Sequence, residues 1–260
     1  MATAQEASPA PTETETREAM EFWGYLFKPD KCGTDMLNNL LRGIAIYIST
    51  KLSPDSCQDL LPSQLAEFYR AVGGNYDILF IDTPLSSLSF IYKSLGCLHS
   101  IQPSATDDGY TGPSVPALKQ KGFITWQTIQ LLLGPEEHVP FLQHAVKQYD
   151  IVNPETGAPF PKVLPKEAFP EKPDPAMQNW YEEVSERLSR DAEAERDIKT
   201  AGAGPSRAPR PGVDAQVEVS SDSDDERSQA AKYFSNPLYR DGDGRPRIVR
   251  RGSKQRPYSP

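Results

Sequence analysis

GFITWQTIQLLLGPEEHVPFLQHAVKQY, residues 122–149, is the densest apolar stretch of the chain and reads as two helices meeting at a Gly-Pro corner. Trp126, Ile129, Leu132 and Leu133 recur at the three-and-four spacing that gathers side chains on one helical face. Phe141, Leu142, Ala145, Val146 and Tyr149 repeat the pattern after Gly134-Pro135. Glu136 and Glu137 then fall in the first turn of the second helix, where carboxylates meet the positive end of the helix dipole. The stretch is expected to be a scaffold on which the rest packs, with Trp126, Leu132, Phe141 and Val146 buried.

Working outward, five further segments carry core-forming residues. In 18–31, Phe22, Trp23, Tyr25, Leu26 and Phe27 crowd together before Lys28-Pro29, as an aromatic clasp would. Thr34 is an N-cap for a helix reaching to about residue 52, with Met36, Leu37, Leu40, Leu41, Ile44, Tyr47 and Ile48 as its stripe. Pro62 opens a helix lined by Leu65, Phe68, Tyr69 and Val72 and ended by Gly73-Gly74. Residues 76–81 read as a short strand or extended link, and Thr83-Pro84 opens a helix with Leu88, Ile91, Tyr92 and Leu95 inward. Residues 99–121 read as a long loop, and the proline-dense segment 153–175 as an extended run over the surface. Asp174-Pro175 begins a last helix with Met177, Trp180, Tyr181, Val184 and Leu188 on one side.

The fold class expected is therefore mainly α: one helical domain of about six helices with long Pro-rich loops. The core residues predicted are Trp23, Leu40, Ile44, Phe68, Leu88, Ile91, Trp126, Ile129, Leu132, Phe141, Val146 and Trp180. Residues 1–17, rich in Ala, Thr, Glu and Pro, read as a disordered leader, residues 18–198 as the domain, and 199–260 as a disordered tail. The tail sorts its charge, with six acids and no base in 214–226 and seven bases against Asp241 and Asp243 in 240–260.

Bulk properties narrow the function classes. A net charge of −8 argues against a protein that coats nucleic acid with its whole surface, leaving only the basic tail for such contact. Three cysteines without CxxC spacing fit reduced thiols and an intracellular location, cytoplasmic or nuclear. No run approaches the ~18 apolar residues of a membrane span, and no secretory signal opens the chain.

Several strings, EFWGYLFKPDK, LAEFYRAVGGNYD, LSFIYKSLGCLHSIQP, GFITWQTIQLLLGPEEHVPFLQ and NPETGAPFPK followed by LPKEAFP, together resemble an uncharacterised all-helical domain of filamentous ascomycete fungi. In that domain a low-complexity tail rich in Arg, Ser and Pro typically follows. The resemblance spans about residues 18–190 and implies a helical fold. It carries no activity, ligand or catalytic residue with it.

The residues offer little chemistry of their own. Cys97 and His99 could supply two legs of a metal site or a thiol–imidazole dyad, with Asp107 and Asp108 nearby, and this is the one foothold for an enzyme of unrecognised type. His138 and His144 are spaced to fall on different helix faces. Asp241-Gly242-Asp243-Gly244 starts like a calcium loop but places Gly252 where a bidentate Glu is required. No catalytic, cofactor-binding or metal-ligating residue is assigned, and no cofactor is expected. Ser220, Ser221 and Ser223 in an acidic setting, and Ser253 after Arg250-Arg251, are candidate phosphorylation sites. The function expected is a non-enzymatic interaction or scaffold module with a regulatory tail and an unidentified protein partner. A nucleic-acid-associated protein acting through the basic tail is the third reading.

Overall fold

A computed structural model describes residues 12–202 apart from 56, 106–108 and 111, and the side chains of that range except 188, 189 and 191–202. The first eleven residues, Asp107, Asp108, both charged blocks and the candidate sites Ser220, Ser221, Ser223 and Ser253 lie outside the described residues. Eight α-helices occur among the described residues: α1 Glu13–Trp23, α2 Asp35–Tyr47, α3 Pro62–Ala71, α4 Asp77–Phe80, α5 Leu85–Ser94, α6 Gln120–Leu133, α7 Pro135–Gln148 and α8 Pro175–Gly202. They make the fold mainly α. Two strands, β1 His99–Gln102 and β2 Val115–Leu118, form an antiparallel hairpin. No helix among the described residues is long and apolar enough to cross a membrane.

The centre is α6. Phe123, Trp126, Gln127, Ile129, Gln130, Leu131, Leu132 and Leu133 are all buried, so this helix is enclosed on nearly every side, as an apolar helix without a solvent face must be. α2 packs along it, α7 turns back from it at Gly134, and α8 and β2 touch it from other directions. A Cβ added to Gly122 would lie 1.9 Å from the carbonyl oxygen of Leu98, so only glycine lets the hairpin backbone pass there. On α2, Gly43 plays the same part against the carbonyl oxygen of Val152, at 2.5 Å.

Local chemistry explains most helix limits. Thr34 caps α2 by accepting from the amide of Leu37. After Tyr47 the helix widens into a π turn, Ile48–Leu52. There Ser49 and Thr50 both donate to the carbonyl of Ile46, and the amide of Ser53 donates to the carbonyl of Ile48. Asp174 caps α8 by accepting from the amide of Met177 at 2.9 Å, and its other oxygen meets Lys31 at 2.7 Å.

Four sequence expectations are corrected. Residues 76–81 hold the short helix α4, not a strand. Residues 99–121 contain the hairpin rather than a plain loop, with His99 opposite Leu118 and Gln102 opposite Val115, and an added bridge from Leu60 to Leu118. α1 starts at Glu13, inside the stretch read as leader, because Thr12 and Glu15 close a capping box. Of the twelve core residues predicted, Trp180 is only half-buried. The inward line of α8 runs through Tyr181 and Val184, and Trp180 flanks it. The other eleven are buried.

Residues 151–174 form a strap over the core, held by Ile151, Phe160, Leu164, Ala168 and Phe169, all buried. The clasp at the end of α1 fastens it: Trp23 stacks on Phe160 at 5.2 Å and donates from Nε1 to the carbonyl of Val163 at 2.8 Å, while the amide of Leu26 donates to Ala168.

Candidate functional site

α7 presents two chemically different faces, and Pro140 sits inside the helix on the outer one. His138, Phe141, Leu142 and Ala145 point into the core. Glu136, Val139, Pro140 and Gln143, at the spacing of one helical stripe, line a groove, with Val139 also buried in the core and Gln143 donating from Nε2 to the Leu164 carbonyl at 2.8 Å.

Behind the inner face lies a buried polar knot. The hydroxyl of Tyr76 donates to the Glu137 carboxylate at 2.7 Å and stands 3.0 Å from Nε2 of His138. Tyr76 has one O–H, so giving it to Glu137 makes Nε2 of His138 the donor and leaves Nδ1 as the bare nitrogen of a neutral ring. That Nδ1 is buried with no hydrogen-bond partner. Burial alone pushes the imidazole down to about 3, so the ring stays neutral at ordinary pH. Glu137 shifts the opposite way: desolvation raises its carboxyl, and the Tyr76 hydrogen bond partly restrains the rise. Next to this knot the oxygen of Tyr69 accepts from Nε1 of Trp126 at 3.1 Å and from Nε2 of Gln127 at 2.9 Å, tying α3 to α6. Tyr69 and His138 are fully buried while Tyr76 and Glu137 are half-buried, and the rings of Tyr69, Tyr76, His138 and Phe141 pack edge to face or stacked. The knot fixes the position of α7.

The outer groove has a volume of about 610 Å³. Val139 and Phe169, both buried, and Pro135 make its floor, and Pro140 and Pro170 stand as walls. Three exposed carboxylates, Glu136, Glu167 and Glu171, rim it against the single lysine Lys166. A second hollow of about 400 Å³ adjoins it, sharing Pro170 and Glu171, where Lys28, Lys31 and Lys172 beside Tyr25 outnumber Glu171 and Asp174, the latter paired with Lys31. The two together form a long depression, acidic at the α7 end and lysine-rich at the clasp end. Proline walls hold their shape without side-chain ordering, since the ring fixes the backbone φ.

Cys97 and His99 do not form a dyad. Both nitrogens of His99 are engaged elsewhere: Nε2 with the Ser89 hydroxyl at 2.9 Å and Nδ1 with the backbone carbonyl of Cys97 at 3.0 Å. Burial pushes the Cys97 thiol up to about 12, which keeps it protonated and poorly nucleophilic. Cys32 is exposed and Cys57 half-exposed, and no group of three or more His, Cys, Asp or Glu that could hold a metal ion occurs among the described residues. His144 is exposed on the far side of α7 from His138, as the six-residue separation implies.

The knot and the groove both escape sequence reading. Glu136 and Glu137 are legible as first-turn acids, but the partner of Glu137 lies 61 residues away, and the strap that walls the groove meets α7 only in the folded chain. The one usable signal is Pro140, which falls on the stripe of Glu136 and Gln143, opposite Leu142.

No curated protein and no solved structure matches the chain. Residues 24–185, from the glycine that ends α1 to the buried part of α8, match one family along their whole length. That span contains the hairpin, the knot, the strap and the groove, and the clasp from Tyr25 onward but not Trp23, and on it the chain belongs to the family described as Domain of unknown function (DUF7514).

Proposed function

We propose that the chain is a non-enzymatic protein-interaction module whose groove beside α7 takes up an extended partner segment. One observation carries the reading: the stripe Glu136, Val139, Pro140 and Gln143 faces an open, proline-walled groove instead of another helix. The floor offers apolar contact and the rim offers carboxylates, so the fitting ligand brings an apolar or aromatic side chain with Lys or Arg beside it. The domain of residues 18–198 is the binding unit in this reading. The tail of 199–260 adjusts affinity, with Ser220, Ser221, Ser223 and Ser253 as the points where phosphate changes its charge. Free cysteines support a reducing, intracellular setting.

Peptide display on the immobilised full chain tests it. The expected result is enrichment of sequences that place an aromatic or branched apolar residue next to Lys or Arg. Binding of those sequences should weaken about tenfold in the double variant E167K/E171K and fall as salt rises. Enriched sequences that bind the variant and the native chain equally would overturn the assignment of the groove.

A further inference from the structure

The tail of this chain contains one segment with the chemistry the groove requires. Beyond Gly202, large apolar side chains are clustered in a single place, KYFSNPLYR at 232–240, where Tyr233, Phe234, Leu238 and Tyr239 stand together and Phe234 is the one phenylalanine of the tail. Residues 227–240 carry Arg227, Lys232 and Arg240 and no acid. The other parts of the tail fit less well. Residues 203–213 have no aromatic side chain, 214–226 are acidic and would be repelled by Glu136, Glu167 and Glu171, and 240–260 are basic but nearly without apolar bulk.

We propose, resting on the reading of the groove as a binding surface, that segment 232–240 of the same chain is its resident occupant, with Phe234 on the Val139–Phe169 floor. Charge order supports the orientation. Along the tail the acids of 214–226 lie next to the aromatic, basic segment, and on the surface the lysines of the adjoining hollow lie next to the acidic groove. A tail lying across both meets opposite charge at each end. Geometry permits the return: α8 has 28 residues and is roughly 42 Å long. It starts at Pro175, on the wall of the hollow. From Gly202 to Tyr233 about 31 residues of chain can span up to roughly 100 Å. Tethering also favours docking, because a segment held on its own chain experiences an effective concentration in about the millimolar range. An external partner therefore competes with the tail, and charge added in 214–226 by phosphorylation changes the tail's hold on Lys28 and Lys172.

A photocrosslink tests this in the full chain. With p-benzoylphenylalanine in place of Phe234, irradiation should join residue 234 to residues 135–143 or 166–171 of the same molecule, and a mixture of isotopically light and heavy chains should give no mixed pairs. Adding E167K/E171K should cut the yield at those segments by about fivefold. Crosslinks confined to other surfaces, mixed pairs, or a yield unchanged by E167K/E171K would each overturn the proposal. If the display-selected peptides still distinguish the native chain from E167K/E171K while residue 234 crosslinks elsewhere, the groove remains a binding surface and its occupant is not the tail. If residue 234 crosslinks to the groove and no displayed peptide depends on Glu167 and Glu171, the tail assignment stands and the external-partner reading falls.

Discussion

His138 is the residue in which burial and charge oppose each other most plainly. Its ring is enclosed by Tyr69, Tyr76, Glu137 and Phe141, and its Nδ1 has no partner. In the folded chain it accepts a proton only near pH 3, whereas an unfolded chain accepts one near the ordinary value of 6.5. Between those values the unfolded state binds the extra proton, so the His138 contribution is complete above about pH 6.5 and is lost as pH falls toward 3. Glu137 acts in the other direction, since its raised carboxyl is relieved by acid. His138→Leu should therefore cost stability at pH 7 through the lost contact with Tyr76. The gap from the native chain should then narrow as pH is lowered to 4, by up to about 1.4 kcal/mol per unit. Urea denaturation at a series of pH values reads this, and parallel profiles for the two proteins would show that the ring is not held neutral.

At the scale of elements, the tight crossing of α6 and the hairpin depends on one missing methyl group. A side chain at 122 would meet the Leu98 carbonyl, which is backbone and is also held by the amide of Lys119, so it has little room to move. Gly122→Ala should lose about 1–3 kcal/mol, although alanine is the better helix former by about 1 kcal/mol. Thermal unfolding checks the sign, and a stabilised variant would contradict the close approach. These elements also show what a sequence discloses. α2, α3, α6 and α7 are legible because their stripes, caps and stop residues are local. Thr12 with Glu15 is a legible capping box, and it marks the start of α1 better than the composition of residues 1–17 does. The hairpin is not legible, because its strands are four residues each and their burial comes from α5, α6 and Leu60. α4 is one turn long, too short to show a period. Pairing of Tyr76 with Glu137, and of Trp23 with the strap, is long-range and leaves no pattern along the chain.

For the whole molecule, the clasp, strap and knot have a common consequence. Trp23 fixes the strap, Tyr76 and His138 fix α7, and the groove is the space these two fixed walls leave between them. Both walls are thus held by contacts within the chain, and in the reading proposed above this leaves the ordering cost of binding mainly to the ligand. Cys97 and His99, in contrast, are spent on the junction between α5 and the hairpin. The most direct measurement is hydrogen exchange on the full chain carrying Phe234→Ala, so that its own tail does not mask the surface, with and without a display-selected peptide. Slower exchange confined to residues 136–143 and 166–171 is the result expected of a groove that binds. Protection of the hairpin at 99–118, with α7 and the strap unchanged, would contradict it.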